Sequence, residues 1–261
     1  ILKNNNFYYS DWYPINYLHQ KVTKSSLDFV YPTDLGLKFK EVNLEAKTKT
    51  EVADGITTNT WQVEDLEVLT PSFDQDKLPK LLLAPVKFSI GEFQGEMNDW
   101  AGLGMWQSKL NAGRGQLPED FQQQILQMIQ DLDTPYEKIE VLYEYLQRNF
   151  RYVSIQLGIG GWQTMTAQEV LENKYGDCKA LTNLMKSMLE VAGIPSFYTL
   201  VYAGVDEEDI EVDLPSNQFN HVILQVPTDS GPIWLECTST LNPPGRSEEH
   251  TSELQSRITI A

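Results

Sequence analysis

The sequence predicts an α+β protein in two parts: a mainly-β, sandwich-like N-terminal domain, then a core in which helices precede a run of antiparallel strands. Three observations predict it. Apolar residues alternate with a period of two from residue 21 to about residue 90. The period becomes helical beyond Leu117, and three runs rich in β-branched and aromatic residues follow the last helix.

In the first part, Leu27, Phe29 and Tyr31 alternate with polar neighbours. Residues 44–52 and 56–63 face each other across Asp54-Gly55, a pair that favours the tight turn of a hairpin. Residues 81–84 and 86–90 are further strand candidates. This part reads as a sandwich lacking its opening strands, and the chain does not begin with Met, so its true N-terminus is expected to lie upstream.

Residues 98–110 carry Trp100, Leu103, Trp106 and Leu110 at helical spacing, and residues 111–116 form a glycine-containing linker. Beyond it, Phe121, Ile125, Met128 and Leu132 fit one apolar stripe; Ile139, Leu142, Tyr143 and Leu146 fit a second. Thr134-Pro135-Tyr136-Glu137 and Thr166-Ala167-Gln168-Glu169 are capping boxes, each opening a helix. The expected organisation is a partial β-rich domain over 1–97, a connecting helix and linker over 98–116, a core over 117–245 and a foreign tail over 246–261.

The tail follows the chain stop Asn242-Pro243-Pro244-Gly245, and residues 246–256 have neither a helical face nor strand alternation. It resembles the translation of a sequencing-library adapter, so the authentic protein is expected to continue differently past Gly245. That removes His250 as a catalytic candidate.

Chemistry concentrates around Tyr175-Gly176-Asp177-Cys178. These residues precede an amphipathic stretch with Leu181, Leu184, Met185, Met188 and Leu189, which Gly193 and Pro195 terminate. Asp177 is the natural N-cap, placing Cys178 in the first turn, where unpaired N–H groups and the helix dipole favour the reactive thiolate. Residues 196–203, 219–226 and 232–237 read as neighbouring strands, with His221 on the second and Glu236 on the third. By alternation His221 shares a face with Phe219 and Ile223, and Glu236 with Trp234 and Thr238; if those faces coincide, cysteine, histidine and carboxylate converge. Cys237 would point the other way and serve as a small buried hydrophobe, although a Cys178–Cys237 bridge is the alternative in an exported protein. On spacing alone, a buried structural cysteine and a satisfied core histidine are the commoner reading.

Taken in order, Tyr-Gly-Asp-Cys-Lys at 175–179, Phe-Asn-His-Val at 219–222 and Trp-Leu-Glu-Cys-Thr at 234–238 resemble the three segments of the bacterial transglutaminase-like family, over residues 134–244. Residues 24–110 resemble the C-terminal part of a β-rich domain found upstream of such cores in envelope proteins. The resemblance implies a papain-like fold with Cys178 as nucleophile, His221 as base and Glu236 as the orienting acid. It further implies acyl transfer on amide or peptide carbonyls through a thioester, with no cofactor and no metal. A periplasmic or envelope location and a protein or peptide substrate go with it. A non-catalytic envelope binding module on the same fold is the competing reading. The family's acid is usually Asp, so Glu236 departs by one methylene; Asp213 is the weaker stand-in.

Gln156 is an oxyanion candidate beside the Cys178 N–H, and Trp162 a candidate for lining the acyl pocket. Gly158-Ile159-Gly160-Gly161 lacks the helix a dinucleotide fingerprint needs, and the acidic stretch 206–213 lacks the pattern of a calcium loop, reading instead as a solvated rim. A net charge of −17 without clustered Lys or Arg argues against a nucleic-acid partner. No run approaches the roughly 18 apolar residues of a membrane span.

Overall fold

The computed structural model describes residues 7–15, 17–70, 77–204, 210–245 and 257–260. The chain divides into two compact units. One comprises residues 1–103 with 213–217, the other residues 104–212 with 218–261.

The N-terminal unit is strand-rich, with β1 (Val22–Pro32), β2 (Leu37–Val42), β3 (Lys47–Ala53), β4 (Ile56–Leu66), β5 (Lys80–Pro85), β6 (Lys87–Ile90) and β7 (Phe93–Glu96). These pair antiparallel as β1-β4-β3, β2-β5 and β6-β7. The β3–β4 hairpin turns on Asp54 and Gly55 at φ 51° and 76°, two successive positive values that match the right-handed twist of the flanking strands. Along β4, Thr57, Asn59, Trp61 and Val63 turn inward. Trp61 and Val63 meet Leu44, Leu81 and Leu83 in the core. Residues 213–217 complete this unit: Leu214 is buried with Leu82 and Ala84, and Lys38 Nζ donates to Pro215 O at 2.6 Å.

Helix α1 (Trp100–Asn111) contains the division between the units, at Leu103 and Gly104. The second unit continues with α2 (Glu119–Ile129), α3 (Pro135–Asn149), β8 (Arg151–Tyr152), α4 (Ala167–Asn173), β9 (Tyr175–Gly176), α5 (Cys178–Val191), β10 (Phe197–Val201), β11 (His221–Val226), β12 (Ile233–Leu235) and β13 (Arg257–Ile260). Four strands form one antiparallel sheet in the order β12-β11-β10-β13. Both capping boxes form as their sequences require, Thr134 with Glu137 and Thr166 with Glu169. The α3 stripe is buried at Ile139, Leu142, Tyr143 and Leu146, whereas α2 buries Ile129 rather than Met128 because its apolar face drifts round the helix. Leu181, Leu184, Met185 and Met188 of α5 close the core against Leu224, Val226, Leu235 and Cys237. The helix stops at Gly193, at φ 71°.

The tail departs from its expected treatment at one place. Arg257-Ile258-Thr259-Ile260 does alternate, and it adds as an edge strand beside β10, from Val201↔Arg257 to Tyr198↔Ile260. Residues 246–256, including His250, lie outside the described residues, as does the acidic segment 205–209. Among the described residues, no helix is long and apolar enough to cross a membrane.

Candidate active site

The approach to Cys178 is pinned on both sides. β8 and β9 pair in parallel, Arg151 with Tyr175 and Tyr152 with Gly176, and Val153 N extends the ladder to Gly176 O at 2.9 Å. Gly176 is required here: a Cβ on it would lie 2.7 Å from the Ala180 side chain. Asp177 then takes an extended N-cap conformation, and its carboxylate accepts from Ala180 N at 3.0 Å. The same carboxylate pairs with the Lys179 ammonium, both side chains being buried. Cys178 follows as the first residue of α5, 4% exposed.

His221 opens β11, held near α5 by a bond from Thr182 Oγ1 to Val222 O at 3.4 Å. Glu236 follows β12. The register sets Leu224 opposite Leu235, and Ile223 and Trp234 share one buried cluster, so the faces bearing His221 and Glu236 coincide. His221 Nε2 and Glu236 Oε2 are 2.9 Å apart. The other carboxylate oxygen, Oε1, accepts from Thr238 N at 3.1 Å and from the Thr238 hydroxyl. Helix α3 fixes the backbone: Tyr143 donates to Glu236 O at 2.7 Å, and Gln147 Nε2 donates to Ser239 O and Asn242 O.

Electrostatics follow from this packing. Burial alone would lower the His221 pKa, but hydrogen bonds to Cys178 and Glu236 and their negative charge outweigh it, raising the imidazole from 6.5 to about 10. Burial pushes the Glu236 carboxyl up, yet the His221 and Thr238 contacts win and hold it below the usual carboxylate range. With Nε2 engaged by Glu236, Nδ1 is the nitrogen left for Cys178. Cys237 faces the core on the side away from Glu236, and burial, aided by the Glu236 charge, holds its thiol well above the usual range. Cys178 and Cys237 are both free.

The remaining candidates fare differently. Asp213 is engaged elsewhere: its side chain is 88% exposed and sits 3.8 Å from Lys40, within the N-terminal unit to which residues 213–217 belong. Gln156 is exposed, on the loop between β8 and a 3-10 turn over Gly158–Gly161. Trp162 caps that turn, half-buried, and its carbonyl accepts from Gln107 at 3.0 Å. Sequence reasoning did not assign roles to Thr238 or Lys179. Alternation put Thr238 on the face of Glu236, which was a usable signal; the lysine after Cys178 carried none.

Residues 122–239, which include Cys178, His221, Glu236 and Thr238, match the family model described as the transglutaminase-like superfamily. The chain carries a transglutaminase-like domain. A candidate protease from Parabacteroides distasonis has a similar fold, with a TM-score of 0.59 at 16% identity over 85% of this chain. The match covers 41% of that structure, so the chain spans about two fifths of its length. A candidate cysteine protease from Cytophaga hutchinsonii aligns over 95% of this chain and 74% of its own at 12% identity, with a TM-score of 0.38. The periplasmic domain of TgpA from Pseudomonas aeruginosa, bound to ethylmercury, aligns over 89% and 78% at 14% identity and a TM-score of 0.36. No curated protein matches. The transglutaminase-like domain is thus established by the family model, and its architecture by the first of these structures.

Proposed function

We propose that the transglutaminase-like domain performs thiol-dependent acyl transfer, with Cys178 as nucleophile, His221 as base and Glu236 as the residue that orients the imidazole. The observation that carries this reading is the 2.9 Å contact of His221 Nε2 with Glu236 Oε2 beside a cysteine that opens a helix. Nδ1 of His221 takes the Cys178 proton, the thiolate adds to an amide or peptide carbonyl, and the C–N bond breaks as the imidazolium returns the proton to the leaving amine. A thioester results. Water or a second amine then attacks it with the same histidine as base, giving hydrolysis or crosslinking according to which nucleophile the site admits. The Cys178 N–H serves the tetrahedral oxyanion, and Gln156 joins it only if its loop folds over a bound substrate.

This chemistry needs no metal and no organic cofactor. A protein or peptide substrate and an envelope location accompany the proposal, resting on the motifs' resemblance to the bacterial envelope family.

Labelling tests it. Iodoacetamide at mildly acidic pH is expected to alkylate Cys178 much faster than Cys237, and His221→Ala to abolish most of that difference. Equal, slow labelling of both cysteines in folded protein would overturn the catalytic reading. One observation favours the alternative, a non-catalytic binding module: only 4% of Cys178 is exposed. Thioester formation on amide substrates from the cell envelope separates the two.

A further inference from the structure

Tyr198 lies on β10 and is 4% exposed, yet its hydroxyl has no hydrogen-bond partner among the described residues. A buried phenol ordinarily finds one, because an unpaired hydroxyl loses its water and gains nothing in return. Its ring belongs to the small buried cluster that also holds Cys178, Leu200 and Val222, with Phe219 packed against it. The Asn111 amide approaches the phenol oxygen without completing a hydrogen bond, and Asn111 is itself oriented by Thr164 N, which donates to Oδ1 at 3.3 Å. Asn111 therefore presents its NH2 side to the phenol, where it competes for the oxygen's lone pairs and leaves the O–H proton free. Apart from Tyr198 itself, Cys178 is the cluster member whose side chain carries a heteroatom that could accept a hydrogen bond. Burial first, then the negative charge at Cys178 and at Asp177, keeps Tyr198 protonated far into the alkaline range, as a donor must be.

We infer that the Tyr198 hydroxyl is a further member of the thiol site, donating a hydrogen bond to the Cys178 sulfur when it is ionised and so stabilising the anion that His221 leaves by taking the proton. The inference rests on the acyl-transfer reading and deepens it. A free thiol is a weak acceptor and a thiolate a strong one, so the bond forms mainly in the state that reacts.

Tyr198→Phe in the full chain removes only the oxygen. The pH profile of Cys178 alkylation is expected to move upward by about one unit, making labelling at mildly acidic pH about tenfold slower. A purely structural tyrosine would not move that profile, and loss of an unpaired buried hydroxyl would leave thermal stability equal or higher. An unchanged profile with fast wild-type labelling overturns the role of Tyr198 and leaves the acyl-transfer reading intact. Slow wild-type labelling overturns both. Site-specific 3-fluorotyrosine at position 198 is the second variant: its more acidic hydroxyl is a stronger donor, so the profile should shift downward. Should Tyr198→Phe fail to fold, the fluorinated protein decides, and no shift or an upward one refutes the inference.

Discussion

At His221, burial and charge pull in opposite directions. Desolvation disfavours the imidazolium, whereas Glu236 and Cys178 favour it, and the outcome is a histidine raised to about 10. Glu236→Gln keeps the shape and an oxygen for Thr238 but removes the carboxylate's charge. The imidazole should then titrate at least about one unit lower, because desolvation is less opposed. Titration by heteronuclear NMR between pH 5 and 11 reads this directly, and an unmoved imidazole would mean that Glu236 does not govern it. Cysteine labelling should weaken less in this variant than in His221→Ala, since the base itself remains. Cys178, His221 and Glu236 were legible as candidates through the three segments that resemble the transglutaminase-like family, since an N-cap, a strand start and a strand end alone would not have singled them out. Tyr198 was not. Its significance lies in a missing partner, which only packing between β10, α5 and the end of α1 reveals. Gln156 shows the converse, since a polar residue near a motif in sequence carries no information about whether its amide turns inward.

Helix α5 owes its start to one carboxylate that does two things. Asp177 caps Ala180 N and neutralises a buried Lys179. Loss of an N-cap costs about 1 kcal/mol, while breaking a buried ion pair by removing one partner costs about 3–5 kcal/mol. Asp177→Ala should therefore destabilise the C-terminal unit by several kcal/mol, and Asp177→Asn by less, since the amide oxygen still caps. Denaturant titration of both variants decides, and losses confined to about 1 kcal/mol in each would show that Lys179 finds water or another partner. Elements with local punctuation were readable: the β3–β4 hairpin from Asp54-Gly55, α3 and α4 from their capping boxes, the end of α5 from Gly193. β7 is hard to read because four residues leave little pattern, and β2 shows its alternation only over Leu37-Lys38-Phe39-Lys40 before Glu41 interrupts it. β13 lies in a tail whose polar portion, residues 246–256, carries no pattern, although its own four residues alternate.

Across the whole molecule, the perturbed groups set a pH window. His221 is raised above 6.5, so its contribution to stability is fully present below 6.5 and disappears as pH rises through about 10. Glu236 is lowered below 4.5, so its contribution is present above 4.5 and disappears as pH falls through its lower folded value. Cys237 and Tyr198 are kept neutral by burial, and because the unfolded chain ionises first, they too erode stability on the alkaline side. Stability of the C-terminal unit should thus be greatest between about pH 4.5 and 6.5 and decline toward pH 10, with a shallower decline in His221→Ala. Denaturant midpoints read by exposure of Cys237 test this, and parallel slopes for the two proteins would remove His221 from the account. The chain's routing adds a different consequence. Residues 213–217 are lent to the N-terminal unit, where Leu214 is buried, and the chain returns to open β11 at His221. A cut within α1 therefore does not yield a self-contained half: the excised C-terminal fragment would carry an orphaned apolar Leu214 on a slack excursion ending at the histidine. The two units are separate as packing bodies and interlaced as a covalent thread, so the boundaries of a stable fragment cannot be drawn by one cut in the sequence.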